Sequence, residues 1–162
     1  MNRAAFVAKF HTVFEHSPWV AESVFEKSKG QAIDAEALVM QFETAFLESD
    51  PALQLATLRA HPQLSCALAA PDQLTQDSLK EQSGAGLDQC SVAELAEFSR
   101  LNSDYNEKFG FPFIIAVKGR SRYEILKIFR QRIENDSQQE FQNALKETRR
   151  IARFRIMDII NG

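Results

Sequence analysis

The 162-residue sequence lacks the features on which several structural classes depend. Its two cysteines are too few for a disulfide scaffold, and its six glycines and five prolines are too few for a collagen-like or low-complexity chain. No apolar run approaches the roughly 20 residues that cross a bilayer. Lys9 and His11 interrupt the apolar N-terminal stretch, so we expect neither a membrane span nor a signal peptide.

A charge bias and the common catalytic motifs are absent too. Nineteen Lys and Arg residues are balanced by 22 Asp and Glu residues, so the basic surface typical of nucleic-acid binding is missing. There is no Cys/His array with metal-ligand spacing, no P-loop and no GxSxG motif. Cys66 and Cys90 are typical of small, buried or half-buried thiols in a reducing compartment. We therefore expect a cytoplasmic protein that binds no nucleic acid, membrane or metal.

The sequence does have clear helical periodicity. Hydrophobic residues make up 44% of the chain and recur every three or four positions, as in Leu38, Phe42, Ala45 and Phe46. A chain of this length is typical of one domain. The pattern predicts a single all-α domain over residues 1–162, with about eight helices near 4–15, 18–28, 34–48, 52–60, 63–69, 92–108, 122–134 and 137–160.

Helix start signals frame these stretches. Ser17 and Asp50 each place a side-chain oxygen before a proline at the first helical position. Ser91 and Ser121 are each followed three residues later by glutamate, which is the capping-box pattern. We therefore expect all four residues to cap helix N-termini.

Two stretches break the helical pattern. Between Pro71 and Cys90 only one short helical turn is expected, around residues 78–82. Residues 109–119, FGFPFIIAVKG, are apolar and end in glycine, which predicts an extended buried segment. Since a helical protein offers no sheet to the amides of such a segment, they need other partners. A bound ligand and packing against helix ends are equally good explanations.

His61 is the first candidate for chemistry. Pro62 disfavours helical backbone at His61, so the imidazole lies at the break between two predicted helices. An imidazole held there is suited to acid–base work near neutral pH. The alternative is a histidine that makes only a local capping hydrogen bond.

The short polar turn is the second candidate. Ser78 and Glu81 are three residues apart, which places them on one helical face, and Gln82 follows. The glycines after the turn let another group approach the backbone closely. A hydroxyl, a carboxylate and an amide together can recognise a polar planar ligand. The alternative is a solvated turn.

Arg155 is the third candidate, because it lies on the inward stripe of the last predicted helix together with Leu145, Thr148 and Ala152. A buried arginine is costly unless it is paired. It therefore needs a carboxylate. That group comes either from the protein, as a structural salt bridge, or from a ligand, whose carboxylate the guanidinium fork fits bidentately.

Four motifs in these regions carry a family resemblance. They are H-P-x-L from His61, S-x-x-E-Q-x-x-A-G-L from Ser78, N-x-x-Y-x-x-K-F-G-F-P-F-I from Asn102 and R-I-x-D from Arg155. In this order and spacing, over residues 4–160, the chain resembles the 2-oxo-4-hydroxy-4-carboxy-5-ureidoimidazoline (OHCU) decarboxylases of urate degradation. It departs from them at residues 65–67, Ser-Cys-Ala, where the family often has a small residue, glycine and a basic residue.

The resemblance implies an all-α fold, usually a homodimer, and a cofactor-free conversion of OHCU to (S)-allantoin and CO₂. It implies catalytic roles for His61 and Glu81. The substrate-binding residues that it implies are Pro62, Ser78, Leu79, Lys80, Glu81, Gln82, Phe113, Ile114, Ile115, Ala116, Val117 and Arg155. Two questions stay open: whether Arg155 contacts the substrate or holds Glu81, and whether the domain is instead a non-catalytic module that binds a small polar anion.

Overall fold

The computed structural model describes residues 1–31, 33–65 and 76–162, and only the backbone of Leu79. Within these ranges the regular structure is eight α-helices and no strand, which confirms the all-α prediction. The helices are α1 (Arg3–Phe10), α2 (Trp19–Ser28), α3 (Ala35–Leu47), α4 (Pro51–Ala60), α5 (Gln76–Gly84), α6 (Val92–Phe109), α7 (Arg122–Arg132) and α8 (Ser137–Asn161). None of them is long and apolar enough to span a membrane.

Three of the predicted N-caps are confirmed. The Asp50 side chain accepts a hydrogen bond from the Ala52 amide at 2.8 Å. Ser91 and Glu94 form the reciprocal capping box of α6. The Ser121 hydroxyl accepts from the third amide of α7 at 3.3 Å. These caps explain why α4, α6 and α7 begin where the sequence predicts.

The turn between α1 and α2 departs from the prediction. The helix expected over residues 4–15 ends at residue 10, and Val13, Phe14 and Glu15 are all buried. Three consecutive buried side chains do not fit on one face of a helix, so the chain leaves the helical path. His16 has a positive φ of 52°. Ser17 does not cap α2, because its hydroxyl donates to the Glu15 carbonyl at 3.1 Å.

Three other local predictions need correction. The short turn expected at residues 78–82 is part of the nine-residue helix α5. Cys90 is half-buried as expected, but it is disulfide-bonded and not a free thiol. The helix predicted over residues 63–69 is not helical at 63–65, and its remainder lies outside the described residues. Two of the three residues that depart from the family pattern, Cys66 and Ala67, lie outside them as well.

The helix α8 organises the core, since it packs against α1, α3, α4 and α6. Aromatic side chains fill the spaces between the helices in two clusters. The first joins α1 to α3 and contains Phe6, Phe10, Phe14, Phe42 and Phe46. The second surrounds Tyr105 and contains Phe109, Phe111, Phe113 and Phe129. Stacking of Phe113 on Phe129, with centroids 3.8 Å apart, fixes the start of the segment over residues 113–117.

Candidate active site

Arg155 is the centre of a buried charge cluster. Its side chain, on α8, is 3% exposed, which confirms that it faces inward. Nε and Nη2 donate to the two carboxylate oxygens of Glu81 at 2.9 and 3.1 Å. Nη1 donates to Oε2 of Glu15 at 2.7 Å. The arginine on the inward stripe is therefore paired with two protein carboxylates, one from α5 and one from the α1–α2 turn.

The remaining donors of Arg155 are also used. Nη1 donates to the Thr12 carbonyl at 3.2 Å, and Nη2 donates to the Ser78 hydroxyl at 3.2 Å. These five hydrogen bonds match the five N–H groups of a guanidinium. Burial works against the charge, but the hydrogen bonds and charges of Glu81 and Glu15 prevail and raise the pKa of Arg155. The contacts favour the salt-bridge interpretation, in which Arg155 holds Glu81.

The two carboxylates of the cluster differ in exposure. The Glu15 side chain is 1% exposed, whereas that of Glu81 is 27% exposed. The Ser78 hydroxyl lies 3.2 Å from both oxygens of Glu15 and donates to that carboxylate. Arg155 thus fixes the Glu81 carboxylate, while part of the Glu81 side chain remains exposed. Glu15 is enclosed.

A cavity of ≈ 480 Å³ opens beside Glu81, which is a volume typical of small-molecule sites. Residues from α5, α8 and the 116–119 stretch form its wall. The lining residues are Asp77, Lys80, Glu81, Gly84, Ala116, Val117, Lys118, Gly119, Ile151, Phe154, Arg155, Asp158 and Ile159. The wall therefore combines an apolar floor with lysines and carboxylates.

Of the extended buried segment predicted over residues 109–119, residues 111–117 are buried and non-helical, whereas Phe109 is the last residue of α6 and residues 118 and 119 form an exposed turn. Two arginines bind carbonyls of residues 113–117: Nη1 of Arg132 donates to Ile114 at 2.6 Å, and Nη1 of Arg120 donates to Ala116 at 2.8 Å. None of the amides of residues 113–117 donates a hydrogen bond to any described residue. Ala116 and Val117 line the same cavity as Glu81 and Arg155.

His61 ends α4, and its backbone is extended. Its Nδ1 lies 3.1 Å from the Pro62 carbonyl. A carbonyl only accepts, so the neutral ring carries its proton on Nδ1, and Nε2 has a free lone pair. Nε2 is shielded from solvent and has no hydrogen-bond partner in the described part of the chain. Burial, together with the nearby charge of Arg155, lowers the pKa of His61 to about 4, although the Glu15 carboxylate acts in the opposite direction.

The structure does not bring all the predicted site residues to the ≈ 480 Å³ cavity, and His61 is not among its lining residues. Lys80 is exposed at the cavity, and Gln82 is buried with an Oε1 that has no partner among the described residues. Residues 113–115 lie in the core. Pro62 lines a different cavity of ≈ 690 Å³, between residues 62–65 and α6. The side chain of Leu79 is outside the described atoms.

Glu15 is the site residue that the sequence does not reveal. It lies 140 positions before its partner Arg155 and in a stretch that looks helical. The one available signal is indirect, because a buried arginine needs a carboxylate but the sequence does not say which one.

Comparison with known proteins gives a consistent result. A family model described as OHCU decarboxylase matches residues 1–157. The 2-oxo-4-hydroxy-4-carboxy-5-ureidoimidazoline decarboxylase of Halalkalicoccus jeotgali is 35% identical over 158 residues, which are 98% of this chain and 86% of that protein. The uric acid degradation bifunctional protein PucL of Bacillus subtilis is 39% identical over 150 residues, which are 92% of this chain but only 29% of that protein.

A solved structure shows the same fold. It is the crystal structure of an OHCU decarboxylase in the presence of (S)-allantoin, with a TM-score of 0.76 and 24% sequence identity. The similarity covers 95% of this chain and 99% of that one. The helical arrangement described above is therefore shared over nearly the full length of both proteins.

Proposed function

This chain belongs to the OHCU decarboxylase family, and from that premise we propose that it converts OHCU to (S)-allantoin and CO₂ in urate degradation. The observation that supports the proposal best is the Glu81–Arg155 pair on the wall of a ≈ 480 Å³ cavity. Residues 116 and 117, whose amides donate to no described residue, line the same cavity. An oriented carboxylate and free amide donors are suited to a flat ring that carries N–H groups and carbonyls.

The substrate supplies its own electron sink. When the bond between C4 and the carboxylate breaks, CO₂ leaves and the electron pair forms a C4–C5 double bond, while the electrons of the neighbouring C=N bond move to nitrogen, which takes up a proton. The hydroxyl on C4 then loses its proton and becomes a carbonyl, and C5 takes up a proton on one face. Net, one proton replaces CO₂. In this proposal the reaction needs no cofactor.

His61 is proposed as the base for the C4 hydroxyl. With Nδ1 committed to the Pro62 carbonyl, Nε2 is the nitrogen that accepts a proton. Burial lowers the pKa of His61 to about 4, which keeps the ring neutral at neutral pH and leaves the Nε2 lone pair free.

Glu81 and the cavity amides are proposed to fix the substrate. The Glu81 carboxylate accepts hydrogen bonds from ring and ureido N–H groups, and Arg155 holds it in one orientation. The amides of Ala116 and Val117 donate to the developing negative charge, which is electrostatic preorganisation. With its donors engaged, Arg155 acts as a positioning residue.

We further propose a homodimer in which residues 1–162 of each subunit act as one domain. The cytoplasmic location expected from the sequence stays a prediction, because the disulfide of Cys90 is more typical of an oxidising compartment. The family resemblance supports the dimer. So do exposed apolar side chains on α6, Val92 at 86% and Leu95 at 39% exposure, which a second subunit would cover. Sedimentation should give twice the mass of the 18.4 kDa chain at micromolar concentration. A monomer there would contradict the dimer.

Site-directed variants test the assignment. We expect His61→Asn and Glu81→Gln to lose nearly all acceleration of OHCU decay, followed by ultraviolet absorbance, with helical circular dichroism unchanged. His11→Asn is the matched control, since His11 is exposed and its ring hydrogen-bonds no described residue other than Ala8, at its carbonyl. Near wild-type rates for His61→Asn would refute its role. Stabilisation by allantoin without any CO₂ release from OHCU would instead identify a binding module.

A further inference from the structure

We propose that Glu15 is a positioning residue for this reaction. It fixes Arg155 and Ser78 so that Glu81 is presented to the cavity in one orientation. This inference rests on the function proposed above and adds a residue from the α1–α2 turn, a region distant in sequence from the other site residues.

The contacts show how Glu15 acts on the cluster. Arg155 is held on two sides: Glu15 binds Nη1 at 2.7 Å, while Glu81 occupies Nε and Nη2. The Ser78 hydroxyl bridges Glu15 and Arg155, because it donates to the Glu15 carboxylate and accepts from Nη2 of Arg155. With Nη1 fixed by Glu15, the guanidinium plane has one orientation, and its other edge sets where the Glu81 oxygens lie.

Two features of the Glu15 position are energetically unfavourable: a buried carboxylate and a left-handed backbone at the next residue. A carboxylate that is 1% exposed is costly to bury without partners. The next residue, His16, has φ 52°, a left-handed conformation that L side chains rarely adopt. Strained backbone of this kind is concentrated at functional sites, where the surrounding contacts hold it. Here the contacts that hold the turn include those of Arg155 to the Glu15 carboxylate and the Thr12 carbonyl, together with the Ser17 hydroxyl on the Glu15 carbonyl.

Glu15 acts on the reaction indirectly. The cavity wall includes Glu81 and Arg155 but Glu15 is not among its lining residues. Removing its charge leaves every lining residue in place, so the substrate should still bind. What changes is the orientation in which Glu81 holds the ring, and this acts on the chemical step. It should also change the electrostatics of His61, because the Glu15 carboxylate raises the pKa of that imidazole against the effect of burial.

The test compares Glu15→Gln, Glu15→Asp and wild type on freshly generated OHCU. We expect Glu15→Gln to lower kcat by about tenfold or more while KM changes by less than about twofold. NMR titration of His61 should show a lower pKa in Glu15→Gln than in wild type. Glu97→Gln is the matched control, since it breaks a bidentate pair with Arg130 outside the site and should leave kcat unchanged.

Glu15→Asp covers the case in which Glu15→Gln does not fold. It keeps the buried charge but is one methylene shorter, so it should fold and still lose kcat, with a smaller change in the pKa of His61. Wild-type kcat in either folded variant would overturn the inference, as would a loss confined to KM. Failure of the wild-type protein to accelerate OHCU decay would instead overturn the proposed function.

Discussion

Replacing Arg155 by methionine measures how much of the fold depends on the buried charge cluster. The variant leaves Glu15 and Glu81 without their counter-ion, at side-chain exposures of 1% and 27%. Removing one partner of a buried ion pair costs about 3–5 kcal/mol. A domain has a free energy of unfolding of about 5–15 kcal/mol in total, so the variant should lose a large part of it. At about 2–4 °C per kcal/mol for a chain of this size, Tm should fall by about 6–20 °C.

The cost should depend on pH. An unpaired buried carboxylate can escape its burial cost by binding a proton. The folded variant then binds more protons than the unfolded chain, so its stability falls as pH rises from 5 to 7. Urea unfolding followed by circular dichroism at both pH values measures this, and the gap to wild type should be larger at pH 7.

The matched control for Arg155→Met is Arg153→Met on the same helix. Arg153 pairs with Glu36 at the surface, with both side chains more than 40% exposed. Its loss should change stability by no more than about 0.5 kcal/mol. A cost below about 1 kcal/mol for Arg155→Met, or one that is equal at pH 5 and pH 7, would refute the reasoning about the cluster.

Three further predictions concern other parts of the molecule. The pKa of His61 is about 4 in the folded protein, against an ordinary value of 6.5, so the folded state binds fewer protons than the unfolded chain between these pH values. The free energy of unfolding therefore falls as pH drops from 6.5 to 4. In urea titrations His61→Asn should reduce this dependence of the free energy of unfolding on pH. Arg132→Lys removes the guanidinium that hydrogen-bonds both the Glu140 carboxylate and the Ile114 carbonyl, so KM for OHCU should rise and the urea midpoint should fall. An unchanged KM would contradict the role of residues 113–117 in substrate binding. Asp50→Ala removes a helix cap and should cost about 1 kcal/mol in thermal unfolding, with no change in kcat.

The helices could be predicted because their signals are local. Apolar periodicity and caps such as Asp50 and Ser91 act within a few residues, and α3, α4, α6, α7 and α8 begin within a residue or so of the predicted positions. The end of α1 could not be predicted in this way. It is decided by where Glu15 must lie relative to a helix at the other end of the chain, and at Ser17 these tertiary contacts override the local capping signal.

Part of the candidate site could also be predicted from local sequence signals. His61 and Arg155 stand out because each conflicts with its local pattern, one through the proline that follows it and the other through its place on an inward stripe. The sequence does not decide the partners of Arg155, since protein carboxylates and a ligand carboxylate satisfy a buried guanidinium equally well on chemical grounds. Glu15 has no local anomaly, so only the three-dimensional contacts reveal it.

The most direct test of the central claim is the optical activity of the product. OHCU is generated from urate by urate oxidase and hydroxyisourate hydrolase, and its decay is followed by circular dichroism with and without this protein. Faster decay into (S)-allantoin is the predicted result, because a site that binds one face of the ring delivers the proton to C5 from one side. Decay at the spontaneous rate into racemic allantoin, with folded protein present, would contradict the account.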